Sequence, residues 1–188
     1  MRTFPELLKA ERGTALDFDE IKQLAVGVNL GMRDHEDLPR HPSIEQICGS
    51  YDAVCILLHV LGPKGSRGSV GHWVLLIKRP RIVFFDPLGK SLAQLYAITN
   101  EPPKLMSAFK GRKVEFSRVA LQRSIKGVRS CGCHCAVRSV FRKWRTRDYE
   151  KFIRSHYGTP DDTVETMCTL TLLKKRMLAG PIGNKYGL

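Results

Sequence analysis

No apolar run in the chain approaches the roughly 18–20 residues that a membrane-crossing helix needs, so no transmembrane anchor is expected. The start, Met1-Arg2-Thr3-Phe4-Pro5, leads into a mixed, charged segment and lacks the pattern of a secretory signal. Without an entry signal, the six cysteines are expected to be free thiols in a reducing compartment, with no disulfide required. No internal repeat is evident. Paired metal-ligand motifs are missing as well. Tetrahedral zinc sites draw ligands from two pairs, each spaced by about two to four residues. Cys131, Cys133, His134 and Cys135 alternate more closely than that, and no second Cys/His pair closes a site. Cys48 and Cys55 are not spaced as a knuckle, so no metal is expected.

What is present suffices for one domain. A hydrophobic content of 43% over 188 residues supports a proper core spanning residues 1–178, and the Gly/Pro-rich stretch 179–188 reads as a flexible tail. The patterning predicts helices over 3–12, 17–28, Ser91–Ile98, Tyr149–Tyr157 and Val164–Leu178. Ser91 is the expected cap of its helix, with Leu92, Leu95 and Tyr96 facing inward. Ala53–Leu58 reads as a buried strand and Val114–Leu121 as a strand that delivers Gln122. Arg33–Pro42 reads as a charged loop, and Leu61–Gly68 as a flexible connection bordering a substrate groove. The expected class is α+β: a central mixed sheet flanked by helices.

The chemistry concentrates at Ser130-Cys131-Gly132-Cys133-His134-Cys135. Cys133, Ala136, Val137, Val140, Phe141 and Trp144 recur at steps of three and four, one apolar face of a helix, with Arg138, Arg142, Lys143 and Arg145 between them and expected in solvent. Gly132 would let the backbone turn tightly into that helix. Cys131 would then sit at the positive end of the helix dipole, which favours thiolate over thiol. A buried small hydrophobe is the ordinary role of a free cysteine and suits Cys48, Cys55, Cys133, Cys135 and Cys168. Cys131 is the candidate nucleophile. His134 reads simply as a polar residue on the first turn.

A thiolate needs a base. Gly71-His72-Trp73 opens the strand-like run Val74–Ile77, and Ile82–Phe85 ends in Asp86-Pro87-Leu88-Gly89. With a three-residue loop over Lys78-Arg79-Pro80, His72 lies directly opposite Asp86, where Cβ atoms are roughly 4.5–5.5 Å apart. A two-residue loop would set Asp86 against Trp73 and turn it away from His72.

Gly71-His72-Trp73, then Phe85-Asp86-Pro87-Leu88-Gly89, then Ser130-Cys131-Gly132 resembles the adenovirus maturation proteases, the adenains, and more distantly the SUMO-specific proteases. The resemblance covers roughly residues 50–145. It implies peptide or isopeptide hydrolysis by Cys131, with His72 as base and Asp86, where adenains carry Glu, as the orienting acid. It implies a glutamine amide as oxyanion donor. Gln122 is the candidate, nine residues before Cys131 where the family spacing is shorter. Trp73 matches a family tryptophan beside the substrate groove. A viral enzyme that cuts capsid or core precursors, located in the virion and host nucleus, is the further implication. No cofactor is required, with stimulation by DNA or an activating peptide left open.

Charge adds an independent reading. Lys and Arg number 31 against 18 Asp and Glu, a net charge of +13 lying mostly after residue 75. Such an excess attracts polyanions, and viral DNA is the expected one, bound through phosphates without regard to sequence. The helix residues Arg138, Arg142, Lys143 and Arg145 are candidate contacts. Two alternatives stand beside the endopeptidase: a deconjugating protease for a ubiquitin-like modifier, and an inactive basic protein that packages nucleic acid.

Overall fold

The structure, a computed structural model, describes residues 15–61, 67–124, 129–156 and 158–179. Five strands, β1 (Leu30–Asp34), β2 (Ala53–Leu61), β3 (Arg67–Ile77), β4 (Val83–Phe85) and β5 (Glu115–Phe116), form one sheet in sequence order. The inner pairs β2/β3 and β3/β4 are antiparallel, whereas the outer pairs β1/β2 and β4/β5 are parallel. The sheet is therefore mixed, and the α+β class holds.

Strand alternation sorts the core into two layers. Cys55, Trp73, Leu75, Ile77, Val83 and Phe85 pack with α1 (Phe18–Leu24), α5 (Cys131–Val140), α6 (Thr146–Ser155) and α7 (Pro160–Ala179). Val54, Ile56, Leu58, Val74, Leu76 and Phe84 pack on the other side with α2 (Ile44–Cys48), α3 (Leu92–Thr99) and α4 (Lys104–Phe109). Three helix starts are fixed by reciprocal capping: Asp17 with Glu20, Ser43 with Gln46, and Ser91 with Gln94. Leu95 and Tyr96 are buried, as the Ser91 cap predicted.

Several expectations need correcting. The stretch Arg33–Pro42 is not wholly a loop, because β1 takes Arg33 and Asp34 into a parallel edge pair with β2. Of the connection Leu61–Gly68, Leu61, Arg67 and Gly68 belong to β2 and β3, and 62–66 lie outside the described residues. The strand over Val114–Leu121 shrinks to Glu115–Phe116. Beyond it the chain is held by turn contacts rather than a ladder: the amides of Leu121 and Gln122 both donate to the Pro87 carbonyl at 2.9 Å. α1 stops at Leu24 instead of reaching 28, and α7 begins at Pro160, four residues before the expected Val164. A proline at the first helical position has a fixed φ suited to that start. The predicted helix over 3–12 and tail residues 180–188 lie outside the described residues, while Ala179 closes α7.

Arg138 is also corrected. It is not a solvent-facing residue but fully buried. α5 is covered by the sheet on one side and by α1 and α7 on others, so the alternation of apolar and basic residues does not mark a wet face. The Arg138 guanidinium turns back over its own helix end, donating to the carbonyls of Phe141 at 2.6 Å and Trp144 at 3.2 Å, and lies 4.9 Å from the Tyr149 ring centre. The helix ends at Val140, so Arg142, Lys143 and Arg145 follow it in a turn. Gly132 likewise has a different purpose from the one expected. It is helical, and a Cβ there would meet Leu16 at 3.1 Å and Ile21 at 3.3 Å, so its value is close packing of α5 under α1.

Candidate active site

Cys131 is the first residue of α5, and β3 brings His72 to it. The β3/β4 register differs from the predicted one by two residues: Leu75 pairs with Phe85 and Ile77 with Val83. The connection is five residues, Lys78 to Ile82, because its amides bond elsewhere. Lys78 and Arg79 both donate to the Asp52 carbonyl, and Ile82 accepts from Glu115. A shift of two preserves the parity that strand pairing imposes. Asp86, one residue past β4, therefore stays on the side of His72, and the bond forms: His72 Nε2 lies 2.6 Å from Asp86 Oδ1.

The Asp86 carboxylate is completely buried and fully engaged. Oδ1 also accepts from the Leu88 amide at 3.1 Å, and Oδ2 accepts from the Lys90 amide at 2.6 Å. Gly89 makes this turn feasible. Its φ is +65°, and a Cβ would lie 2.6 Å from the Ala120 amide nitrogen. The turn thus fixes Asp86 from one side and, through the Pro87 carbonyl, anchors the segment carrying Gln122 from the other.

With Nε2 committed to Asp86, Nδ1 is the nitrogen left for the hydrogen bond that His72 makes with Cys131. Burial alone would push the imidazole down. The hydrogen bonds to Asp86 and Cys131, with the charges on both, overcome this and raise His72 to about 9. Burial would raise the Cys131 thiol. The His72 hydrogen bond and charge, with backbone hydrogen bonds from Trp73 and Gly132, turn the net shift downward. The two opposite shifts both favour a thiolate–imidazolium pair over a neutral thiol and imidazole. By contrast Cys133 and Cys135 are shifted up, Cys133 chiefly by its hydrogen bond with Cys168 and Cys135 chiefly by burial. All six cysteines are buried and free of disulfide bonds.

Trp73 is buried, its indole N–H donating to the Leu16 carbonyl at 3.2 Å and its ring edge-on to Phe18. It borders the site through its backbone amide rather than as an open groove wall. Gln122 is buried, and its side-chain carbonyl has no hydrogen-bond partner among the described residues. Its backbone anchor at Pro87 joins it to the Asp86 turn. Loss of one oxyanion donor costs about a hundred- to a thousandfold in turnover. If Gln122 supplies such a donor to a protease site, Gln122→Ala lowers kcat by about that factor with KM little changed, read by steady-state kinetics on a cleaved peptide. Unchanged kcat would remove Gln122 from the site.

Sequence reasoning missed a second cluster, next to Cys131 in the chain and centred on the buried carboxylate of Asp161. Ser130, His134 and Arg123 all converge on Asp161. The start signal Thr159-Pro160-Asp161 was the available cue for a helix there, but nothing local to it points at Cys131. Among the described residues no group of three or more His, Cys, Asp or Glu is arranged to hold a metal. No helix among them is long and apolar enough to cross a membrane. No protein-family model matches the sequence, and no curated protein matches it significantly.

Proposed function

We propose that the chain is a cysteine endopeptidase of the adenain type, with Cys131 as nucleophile, His72 as base and acid, and Asp86 as the group that orients the imidazole. The observation that carries this reading is the continuous chain Cys131–His72–Asp86, in which the thiol is shifted down and the imidazole up. The thiolate attacks the carbonyl carbon of a peptide bond, and the carbonyl π electrons move to oxygen. That oxyanion lies against the Cys131 backbone N–H at the helix start and the Gln122 amide. The imidazolium gives its proton to the leaving amine as the C–N bond breaks, leaving a thioester. His72 then takes a proton from water, hydroxide adds to the thioester, and the C–S bond breaks to return the thiolate–imidazolium pair. Asp86 keeps the ring in its orientation throughout.

Short linear sites in viral capsid or core precursor polypeptides are the proposed substrates, cut in the virion and the host nucleus. Incubation with a peptide library and sequencing of the cut ends tests this. Cuts in linear peptides that stop when Cys131 is alkylated are the expected result. Cleavage confined to ubiquitin-like conjugates would assign the deconjugating reading instead. No turnover, with no selective labelling of Cys131, would leave a basic packaging protein.

DNA association is the second part of the proposal, and its contact set changes. Arg138 is buried, and the Arg142 guanidinium is part-buried with Asp52 at 4.0 Å. Lys143 and Arg145 are exposed, and so are Arg147, Lys151 and Arg154, spaced along one side of α6. Binding to duplex DNA is expected to ignore sequence and to fall with salt, log K against log salt having a slope near −0.9 per phosphate neutralised. Replacing these five exposed residues by Gln should flatten that slope in a fluorescence-anisotropy titration. Equal affinity and slope in this variant would move the contact elsewhere.

A further inference from the structure

Asp161, in the first turn of α7, is 1% exposed, and its carboxylate accepts four hydrogen bonds. Oδ1 accepts from the Ser130 hydroxyl at 2.5 Å and from His134 Nε2 at 3.1 Å. Oδ2 accepts from the Arg123 backbone amide at 3.0 Å and from Arg123 Nε at 3.1 Å. His134 is fully buried, and that burial outweighs Asp161 and lowers the imidazole. Nε2 is the ring nitrogen that faces the carboxylate, and Nδ1 has no hydrogen-bond partner among the described residues.

The donors on the two oxygens come from different places. Arg123 follows Gln122, and Ser130 precedes Cys131. One carboxylate thus ties together the two segments that carry the two candidate oxyanion donors, across a connection whose residues 125–128 lie outside the description. Ser130 occupies the cap position of α5 but makes no side-chain cap, because its hydroxyl is turned to Asp161. The first-turn amides are thereby left to the site, and the Gly132 amide is among the groups that hold the Cys131 sulfur. Gln122 and Cys131 stand nine residues apart, and Asp161 holds the chain at both ends of that connection.

We propose that Asp161 is a positioning residue for Cys131 and Gln122: its buried carboxylate, held by Ser130, His134 and Arg123, fixes the nucleophile turn and the oxyanion segment in one geometry. The proposal rests on the cysteine endopeptidase reading for its kinetic consequence but not for its effect on the thiol. Removing the clamp lets both segments drift, and a misplacement of about 1 Å at a reacting group can cost about a hundredfold.

Asp161→Asn tests it, because an amide keeps the volume yet presents an NH2 group where donors already converge. In this variant kcat for a cleaved peptide should fall about ten- to a hundredfold with KM within about twofold. The pH midpoint for alkylation of Cys131 by iodoacetamide, read by mass spectrometry at that residue, should move up toward the ordinary thiol range. Ser130→Ala, which removes one donor of the four, should move both readouts the same way by less. A folded Asp161→Asn protein with wild-type kcat and an unmoved alkylation midpoint overturns the proposal. So does a variant whose melting temperature falls while that midpoint stays put, since a structural role alone predicts that. If Asp161→Asn does not fold, Ser130→Ala decides: an unmoved midpoint with unchanged kcat overturns the clamp. Alkylation needs no substrate. A wild-type protein that cuts no peptide, but whose Cys131 midpoint still moves in Asp161→Asn, would remove the protease reading and keep the clamp.

Discussion

Cys131→Ala is expected to abolish peptide cleavage while the protein keeps its fold. The side chain lost is small, stands at the start of a helix at the margin of the core, and its hydrogen bond is to His72. Alanine is also the best helix former, so α5 does not suffer. Circular dichroism and melting temperature should stay close to wild type while turnover falls to background. Cys133→Ala and Cys135→Ala should show the opposite pattern. Cys135 is fully buried with its sulfur 3.5 Å from the Trp73 carbonyl, and Cys133 contacts Cys168, so both changes open space inside the α5 packing. Retained cleavage in Cys131→Ala, with loss in Cys133→Ala, would overturn the assignment of Cys131 and move the nucleophile to Cys133.

His72→Ala should lower kcat by about five to six orders of magnitude, since neither the thiolate nor the leaving amine then has a proton partner. Asp86→Asn should cost about one to two orders less, as the third member of such a set does. It will still be felt beyond orientation. The Asp86 carboxylate accepts from His72 and Leu88 on one oxygen and from Lys90 on the other, and an amide places a donor against one of these groups. The pH profile carries the sign. His72 is raised to about 9, so the imidazolium that protonates the leaving amine is present below that value and is lost as pH rises through it. Cys131 is shifted down, so the acid limb should lie below the ordinary thiol range. A profile that keeps rising past about pH 10 would contradict the pairing.

Much of the site was legible because its signals are local or periodic. A Ser-Cys-Gly step before an apolar repeat announces a helix start, and the start is where α5 begins. The joining of His72 to Asp86 survived an error of two in strand register because side chains alternate with period two, and only an error of one reverses a face. Arg138 was misread for a reason of packing. A helix-face argument assumes one wet side, and a helix covered by a sheet and by two helices has none, so its arginine caps the helix end and meets Tyr149. β1 was missed because Leu30-Gly31-Met32-Arg33-Asp34 is an edge strand with mixed side chains, ordered by its parallel partner rather than by its own propensity. Asp161 was invisible for a third reason. It stands 30 residues beyond Cys131, and only the crossing of α5 by α7 turns an ordinary first-turn aspartate into a buried acceptor of four bonds.

The rate of alkylation of each of the six cysteines against pH, in wild type and in His72→Ala, tests the central claim most directly. A thiolate held by an imidazolium should make Cys131 the fastest-labelled cysteine at neutral pH, with a midpoint well below that of an ordinary thiol. In His72→Ala the burial that then acts with less opposition should push that midpoint up and slow labelling. Cys131 labelled no faster than Cys133 or Cys135, or a midpoint that does not move when His72 is removed, would contradict the account.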